Sequence, residues 1–350
     1  MMKTEVVKIP EDLSSGEDAL FRAAEIIKRG GLVIFPTETV YGLGANALDP
    51  VAVKSIYTAK GRPSDNPLII HISDPDEAEK YTYTSETYKK LAAEFMPGPL
   101  TVIMPSRDNV PLVTRGGLPT VAVRCPVNKI AAKFIELCGV PIAAPSANLS
   151  GSPSPTDAPH VMDDMMGRVD MIIDGGECDI GLESTIVKIE DDCHLTLLRP
   201  GGITPEELRS VIPDVRIADA VTGELKPGER ALSPGMKYRH YAPRAPLTLL
   251  DGSPEKCANY IKEHGDGRIA VIVYAEDTGK IHSVNPNAVI YDFGSRKDGR
   301  LQAHKLFYIL READKCNFDR IYAPLPGLDG IELALYNRMI RAAAHNIIKL

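Results

Sequence analysis

Between residues 17 and 29 apolar side chains recur with a helical period: Leu20, Ala23, Ala24 and Ile27 share one face, and Gly30-Gly31 ends the run. The spacing predicts an amphipathic helix. The apolar run LVIFP at 32–36 has the composition of a buried strand, and it empties into TETVYGLGANALDP, which reads as a turn-prone loop of hydroxyls and glycines. Residues 50–60 read as a helix, 67–72 as a strand and 75–95 as a helix. TVIMP (101–105) and TVAVRCP (120–126) read as strands, NKIAAKFIELCG as a helix stopped by Gly139, and VPIAAPSAN as an apolar run entering a polar turn. After a Ser/Pro stretch at 150–159, strands near 170–173, 185–189 and 195–198 bring an α/β region to its end near Ile212.

Both hydrophobic periods then lapse. TGELKPGERALSPGMKYRHYAPR, at 222–244, is rich in Pro, Gly and charge and reads as a linker, though it is not of low complexity. The pattern resumes with PLTLL, a helix at 254–264, RIAVIVYAE, AVIYDFG, an amphipathic helix at about 299–315, RIYAPLP and a final helix rich in Ala and Leu. Strands alternating with helices predict a small parallel-sheet domain of Rossmann-like character. It lacks a Gly-x-Gly-x-x-Gly fingerprint, so the sequence does not support dinucleotide binding there. The expected division is residues 1–212, a linker at 213–245, and 246–350.

Length and composition agree with two cores: 350 residues, 44% hydrophobic and 25% charged. No apolar leader and no long apolar span is visible, and the expected location is the cytoplasm. The six cysteines form no CxxC pair, so they are expected as reduced thiols, with no structural metal site. A formal net charge of −7 argues against a surface that traps nucleic acid as a whole. Locally the sign reverses: residues 28–62 hold Lys28, Arg29, Lys54, Lys60 and Arg62 against Glu38 and Asp49, a balance of +3 that phosphates of either a nucleotide or an RNA could use.

Candidate chemistry collects in three places. PTETVYGLG (36–44) and AKGRPSDNPLIIHI (59–72) bring Thr37, Thr39, Lys60, Arg62, Ser64, Asn66 and His71 around two consecutive strands. Hydroxyl donors, glycines and cations are what a phosphate-binding loop needs, although Lys-Gly-Arg-Pro is also the sequence of an ordinary solvated turn. APSANLSGSPSPT (144–156) sets Ser146 and Asn148 at the mouth of a strand, where α/β proteins bind ligands; a Ser/Pro linker is the alternative. In LESTIV (182–187) and at Arg199, polar groups flank further strands, and Arg199 reads as an exposed strand end or an anion contact. Arg124 interrupts an apolar run, and its expected partner is a substrate carboxylate. There is no GxxxxGK[ST] loop, GxSxG elbow, HExxH or kinase-type catalytic loop. Cations and hydroxyls without an evident nucleophile or metal cage suit nucleotidyl transfer by positioning and charge stabilisation.

PTETVYGLG, KGRPSDNPL, Lys60-x-Arg62 with Ser146-x-Asn148, SPGMKYRHYAP and GLDGIELALYNRMIRAAAHNII together resemble the YrdC-type threonylcarbamoyl-AMP synthases in their two-domain form. The resemblance implies a YrdC-like twisted mixed-sheet domain with a basic cleft, then a linker and a Rossmann-like domain. It implies a reaction of L-threonine, bicarbonate and ATP that gives threonylcarbamoyl-AMP and pyrophosphate, with Mg2+ carried on the ATP phosphates and a downstream tRNA threonylcarbamoyl transferase complex as recipient. Weak direct tRNA contact is a further expectation. By the same resemblance Lys60, Arg62, Ser146 and Asn148 are catalytic. The ATP side is Lys60, Arg62, Asn66, Thr120, Ser146, Asn148, Ser154 and Arg199. Tyr238, His240 and Tyr241, aromatic rings in a Pro-bounded segment that should be plain tether, are expected to fold over the nucleotide as a lid. Thr39, His71, Arg124, Ala144 and Ser184 form the threonine side.

Overall fold

The computed structural model describes residues 3–63, 66–224, 232 and 241–350. These fall into two compact units, residues 1–150 with 154–237, and residues 151–153 with 238–350.

The first unit begins with β1 (Glu5–Lys8), α1 (Glu17–Lys28), β2 (Val33–Phe35), β3 (Gly42–Asn46), α2 (Pro50–Lys60) and β4 (Ile69–His71). It continues through α3 (Glu86–Phe95), β5 (Leu100–Pro105), β6 (Thr120–Arg124), α4 (Lys129–Cys138), β7 (Ile142–Ala143), α5 (Ala158–Met165) and β8 (Met171–Asp174). β9 (Thr185–Ile189), β10 (His194–Arg199), α6 (Pro205–Val211) and β11 (Asp214–Ile217) complete it. Among the described residues its sheet has eleven strands in the order β1-β8-β2-β3-β7-β4-β6-β5-β9-β10-β11, with parallel and antiparallel neighbours mixed. On one side α1 and α4 bury Ala23, Ala24, Ile27, Phe134 and Ile135 against Phe35 and Ile173.

Three expectations needed correction. The helix expected over 75–95 is broken: a 3-10 turn spans Pro75–Lys80, and Ser85 then caps α3 by accepting the Tyr88 N–H. The stretch read as a loop after Phe35 contains a strand, β3. Its glycines hid it, and the packing requires them: a Cβ on Gly44 would come within 2.8 Å of Ile142 Cγ2, and one on Gly42 within 3.1 Å of the Phe35 ring. Past Ile212 the sheet gains β11, parallel to β10, inside the stretch expected as linker.

In the second unit β12 (Leu247–Asp251), α7 (Pro254–His264), β13 (Ile269–Val273), α8 (Thr278–Val284) and β14 (Val289–Asp292) are followed by α9 (Gly299–Asp314), β15 (Arg320–Pro324), α10 (Glu332–Ala342) and β16 (Ile347–Lys349). The five strands are all parallel, in the order β14-β13-β15-β12-β16, as the alternating pattern predicts. β16, after the final helix, is a strand that the sequence reading did not include. No helix among the described residues is long and apolar enough to cross a membrane.

Candidate active site

Strand register builds the site. Arg124 pairs with His71 across β6 and β4, and with Thr101 across β6 and β5. Residues directly opposed in a sheet share a face, so these three side chains form one polar row. Two residues along each strand the same face carries Ile69, Ala122 and Ile103, and one step further it carries Thr120. The middle row belongs to an apolar cluster with Ile186 and Leu198, and Leu232 of the linker packs on it. The face thus runs polar, apolar, polar.

In the polar row, Ser184, just before β9, meets Thr101 hydroxyl to hydroxyl at 2.7 Å. Arg199, at the end of β10, donates from Nε to the Ser184 carbonyl at 3.0 Å and from Nη2 to its hydroxyl at 3.1 Å. It is 7% exposed, a buried cation and not a solvated strand end. Arg124 is also buried, but its partner is internal: Nη2 donates to Glu38 Oε1 at 2.7 Å. Thr37 and Thr39 hydroxyls lie 2.9 Å apart beside this pair, and Thr37 Oγ1 is 3.5 Å from Arg124 Nη2. His71 Nδ1 lies 3.3 Å from the Ile142 carbonyl. Burial, helped by the charge of Arg124, pushes the imidazole down to about 3, so it is neutral at ordinary pH. The Ala144 N–H donates to the Ile69 carbonyl at 3.0 Å, which ties the residue to β4.

The second half of the site is a clasp between the end of α2 and the loop after β7. Lys60, 3% exposed, donates from Nζ to the backbone carbonyls of Ser146 and Asn148, the latter at 2.7 Å. Ser146 Oγ in turn donates to Asn148 Oδ1 at 2.5 Å. Gly61, in the left-handed conformation at φ 61°, stops α2, and the chain turns there to Arg62. Ser154 is fully buried and donates to Glu183 Oε1 at 2.5 Å, so at this residue the Ser/Pro stretch is packed structure and not a solvated tether. The Asn66 amide is buried, and neither of its side-chain polar atoms has a hydrogen-bond partner among the described residues.

The structure therefore brings Thr39, His71, Arg124, Ala144 and Ser184 close through register and hydrogen bonds, and joins Lys60 to Ser146 and Asn148. Tyr241 is buried, its ring 5.1 Å from that of Phe307 and beneath the Arg338 guanidinium. Tyr238 and His240 lie outside the described residues. Glu38, Thr101 and Glu183 were missed by sequence reasoning. Of the basic run at 28–62, Lys60 and Arg62 are buried, which leaves Lys28, Arg29 and Lys54 exposed.

Comparison with known proteins agrees along the chain. Residues 25–201 match the Sua5/YciO/YrdC family described as telomere recombination, and residues 203–344 match the family described as threonylcarbamoyl-AMP synthase, C-terminal domain. A threonylcarbamoyl-AMP synthase of Bacillus subtilis is 43% identical, with 99% of this chain and 100% of the relative covered. Another from Pyrococcus abyssi is 46% identical over 93% of this chain and 94% of the relative. The crystal structure of P. abyssi Sua5 complexed with L-threonine superposes with a TM-score of 0.91 at 43% identity, covering 99% of this chain and 100% of that one.

Proposed function

The chain belongs to the threonylcarbamoyl-AMP synthase family, and we propose that its first unit joins L-threonine, bicarbonate and ATP into threonylcarbamoyl-AMP and pyrophosphate. One observation supports the residue assignment: the register row His71, Arg124 and Thr101 is bonded at its end to Ser184, which in turn holds Arg199, a cation suited to a triphosphate.

Arg124 suits the amino-acid carboxylate, and the Thr39 and Ser184 hydroxyls suit its polar side chain. The threonine amine, once deprotonated, captures bicarbonate as a carbamate with loss of water. A carbamate oxygen then attacks the α-phosphorus, and pyrophosphate leaves with the bonding electron pair. Arg62, Arg199 and the Lys60 clasp offset charge on the phosphates, while Asn66, Thr120, Ser146, Asn148 and Ser154 fix the nucleotide. Mg2+, carried on the phosphates, supplies further charge neutralisation. Among the described residues no group of three or more His, Cys, Asp or Glu could hold a metal ion.

Leu232 packs on the apolar row and shields it from water. A cytoplasmic tRNA threonylcarbamoyl transferase complex receives the adenylate. The deciding assay is pyrophosphate release with threonine or bicarbonate omitted in turn, repeated with Ser146→Ala. Release should need both co-substrates and fall in the variant; release indifferent to threonine would overturn the reading.

A further inference from the structure

The Glu38–Arg124 pair is unfinished on both sides. Its side chains are 3% and 5% exposed, yet Glu38 Oε2 and Arg124 Nε have no hydrogen-bond partner among the described residues. Taking an ion pair out of water is offset only when its remaining lone pairs and protons are bonded too. Each orphaned group bears a desolvation cost that no hydrogen bond offsets. Here the orphans are complementary: one N–H donor and one carboxylate oxygen, on adjacent partners of a single pair.

An α-amino acid zwitterion has the matching parts, an anionic acceptor and a cationic donor on one carbon. It also adds no net charge to a neutral pair, whereas a simple carboxylate would leave a buried excess of one. The groups bonded to the pair or opposed to it in register supply no counter-charge for an ammonium. Thr37 and Thr39 are hydroxyls, and His71, opposite Arg124 in register, is a neutral imidazole. The carboxylate of Glu183 is engaged by Ser154.

We propose that Glu38 is a substrate-binding residue whose Oε2 receives the α-ammonium of threonine while Arg124 takes the carboxylate, so that the pair selects α-amino acids over hydroxy acids of the same shape. The proposal rests on the threonine-dependent reading above and deepens it. No covalent step is involved: the ammonium proton is lost later, when the amine captures bicarbonate.

The test compares L-threonine with (2S,3R)-2,3-dihydroxybutanoate, the same skeleton with a hydroxyl in place of the ammonium. Titration calorimetry on the full chain without ATP gives Kd for both ligands with the unaltered protein, Glu38→Gln and Glu38→Asp. The unaltered protein should favour threonine by about 100-fold, as expected for a buried charge pair. Glu38→Gln should lose that preference by weakening threonine about 100-fold while the hydroxy acid, whose carboxylate then meets a net positive site, binds no more weakly than before, with Glu38→Asp between. ATP affinity within twofold of the unaltered protein shows that the variants fold. Equal weakening of both ligands would mean that Glu38 only holds Arg124, and would overturn the proposal. If neither variant folds, equal affinity of the unaltered protein for the two ligands overturns it alone. Failure of the unaltered protein to bind threonine at all is a different result: it removes the functional reading itself.

Discussion

Ser184 Oγ lies 3.1 Å from Arg199 Nη2, so a hydroxyl assigned to threonine is bonded to a cation assigned to ATP. The preceding residue, Glu183, holds Ser154. On the proposed assignment, two neighbouring positions just before β9 support both substrate halves. Ser184→Ala should weaken threonine and ATP together, each by about 10-fold, the lower end of what a hydrogen bond to a charged group contributes. Thr101→Ala, which removes only the partner hydroxyl, should affect threonine alone. Separate titrations of the two ligands check the contrast.

Lys60 acts first on the loop that carries Ser146 and Asn148. Lys60→Met removes the donor from two backbone carbonyls and, on the proposed reading, a charge near the phosphates. Pyrophosphate release should fall at least about 100-fold and the melting temperature should drop. Lys60→Arg should not restore activity, because a planar guanidinium cannot replace a compact ammonium held between two carbonyls of one turn.

Gly201 leaves no room for a side chain. A Cβ there would lie 2.5 Å from both the Glu183 carbonyl oxygen and the Thr185 nitrogen, and 2.7 Å from the Ser184 carbonyl carbon. Gly201→Ala must therefore displace the segment bearing Glu183 and Ser184. Stability should fall by about 1–3 kcal/mol, and threonine affinity with it; urea unfolding and calorimetry report the two separately.

His71 makes stability depend on pH. Burial, then the charge of Arg124, lowers its pKa from about 6.5 in the unfolded chain to about 3. The folded state holds the ring neutral, so its advantage is complete above pH 6.5 and is lost as pH falls toward 3, while only the unfolded chain takes up the proton. Between pH 7.5 and pH 5 this group should remove about 2 kcal/mol. Urea unfolding at both pH values should show that loss, and His71→Gln should show a correspondingly smaller one.

Helices with clear caps and strands of continuous apolar residues were legible because local chemistry fixes them: α1 stops near Gly30-Gly31, and α4 runs from its Asn128 cap to Gly139. The break at 81–85 was not, because the strongest signal there is one serine hydroxyl capping α3. In the site, motif residues such as Lys60 and Ser146 stood out by type. Glu38 is in the same motif, but its importance comes from a partner 86 positions away that only the fold supplies. Thr101 looked like an ordinary strand residue until register set it opposite Arg124. Tyr241 stood out as an aromatic in a linker, but its packing against Phe307, 66 positions away, is a contact that only the fold supplies.

The order of strands in the second sheet also constrains how the chain is made. β12 is the first strand of that unit to leave the ribosome, yet it pairs with β15 and β16, which emerge about 70 to 100 residues later. Until then its two edges have no native neighbour, and the parallel pairings close only after long loops have formed. A nascent chain stalled before residue 320 should therefore present β12 to chaperones or to other chains, even though the eleven-stranded sheet has all of its residues by then.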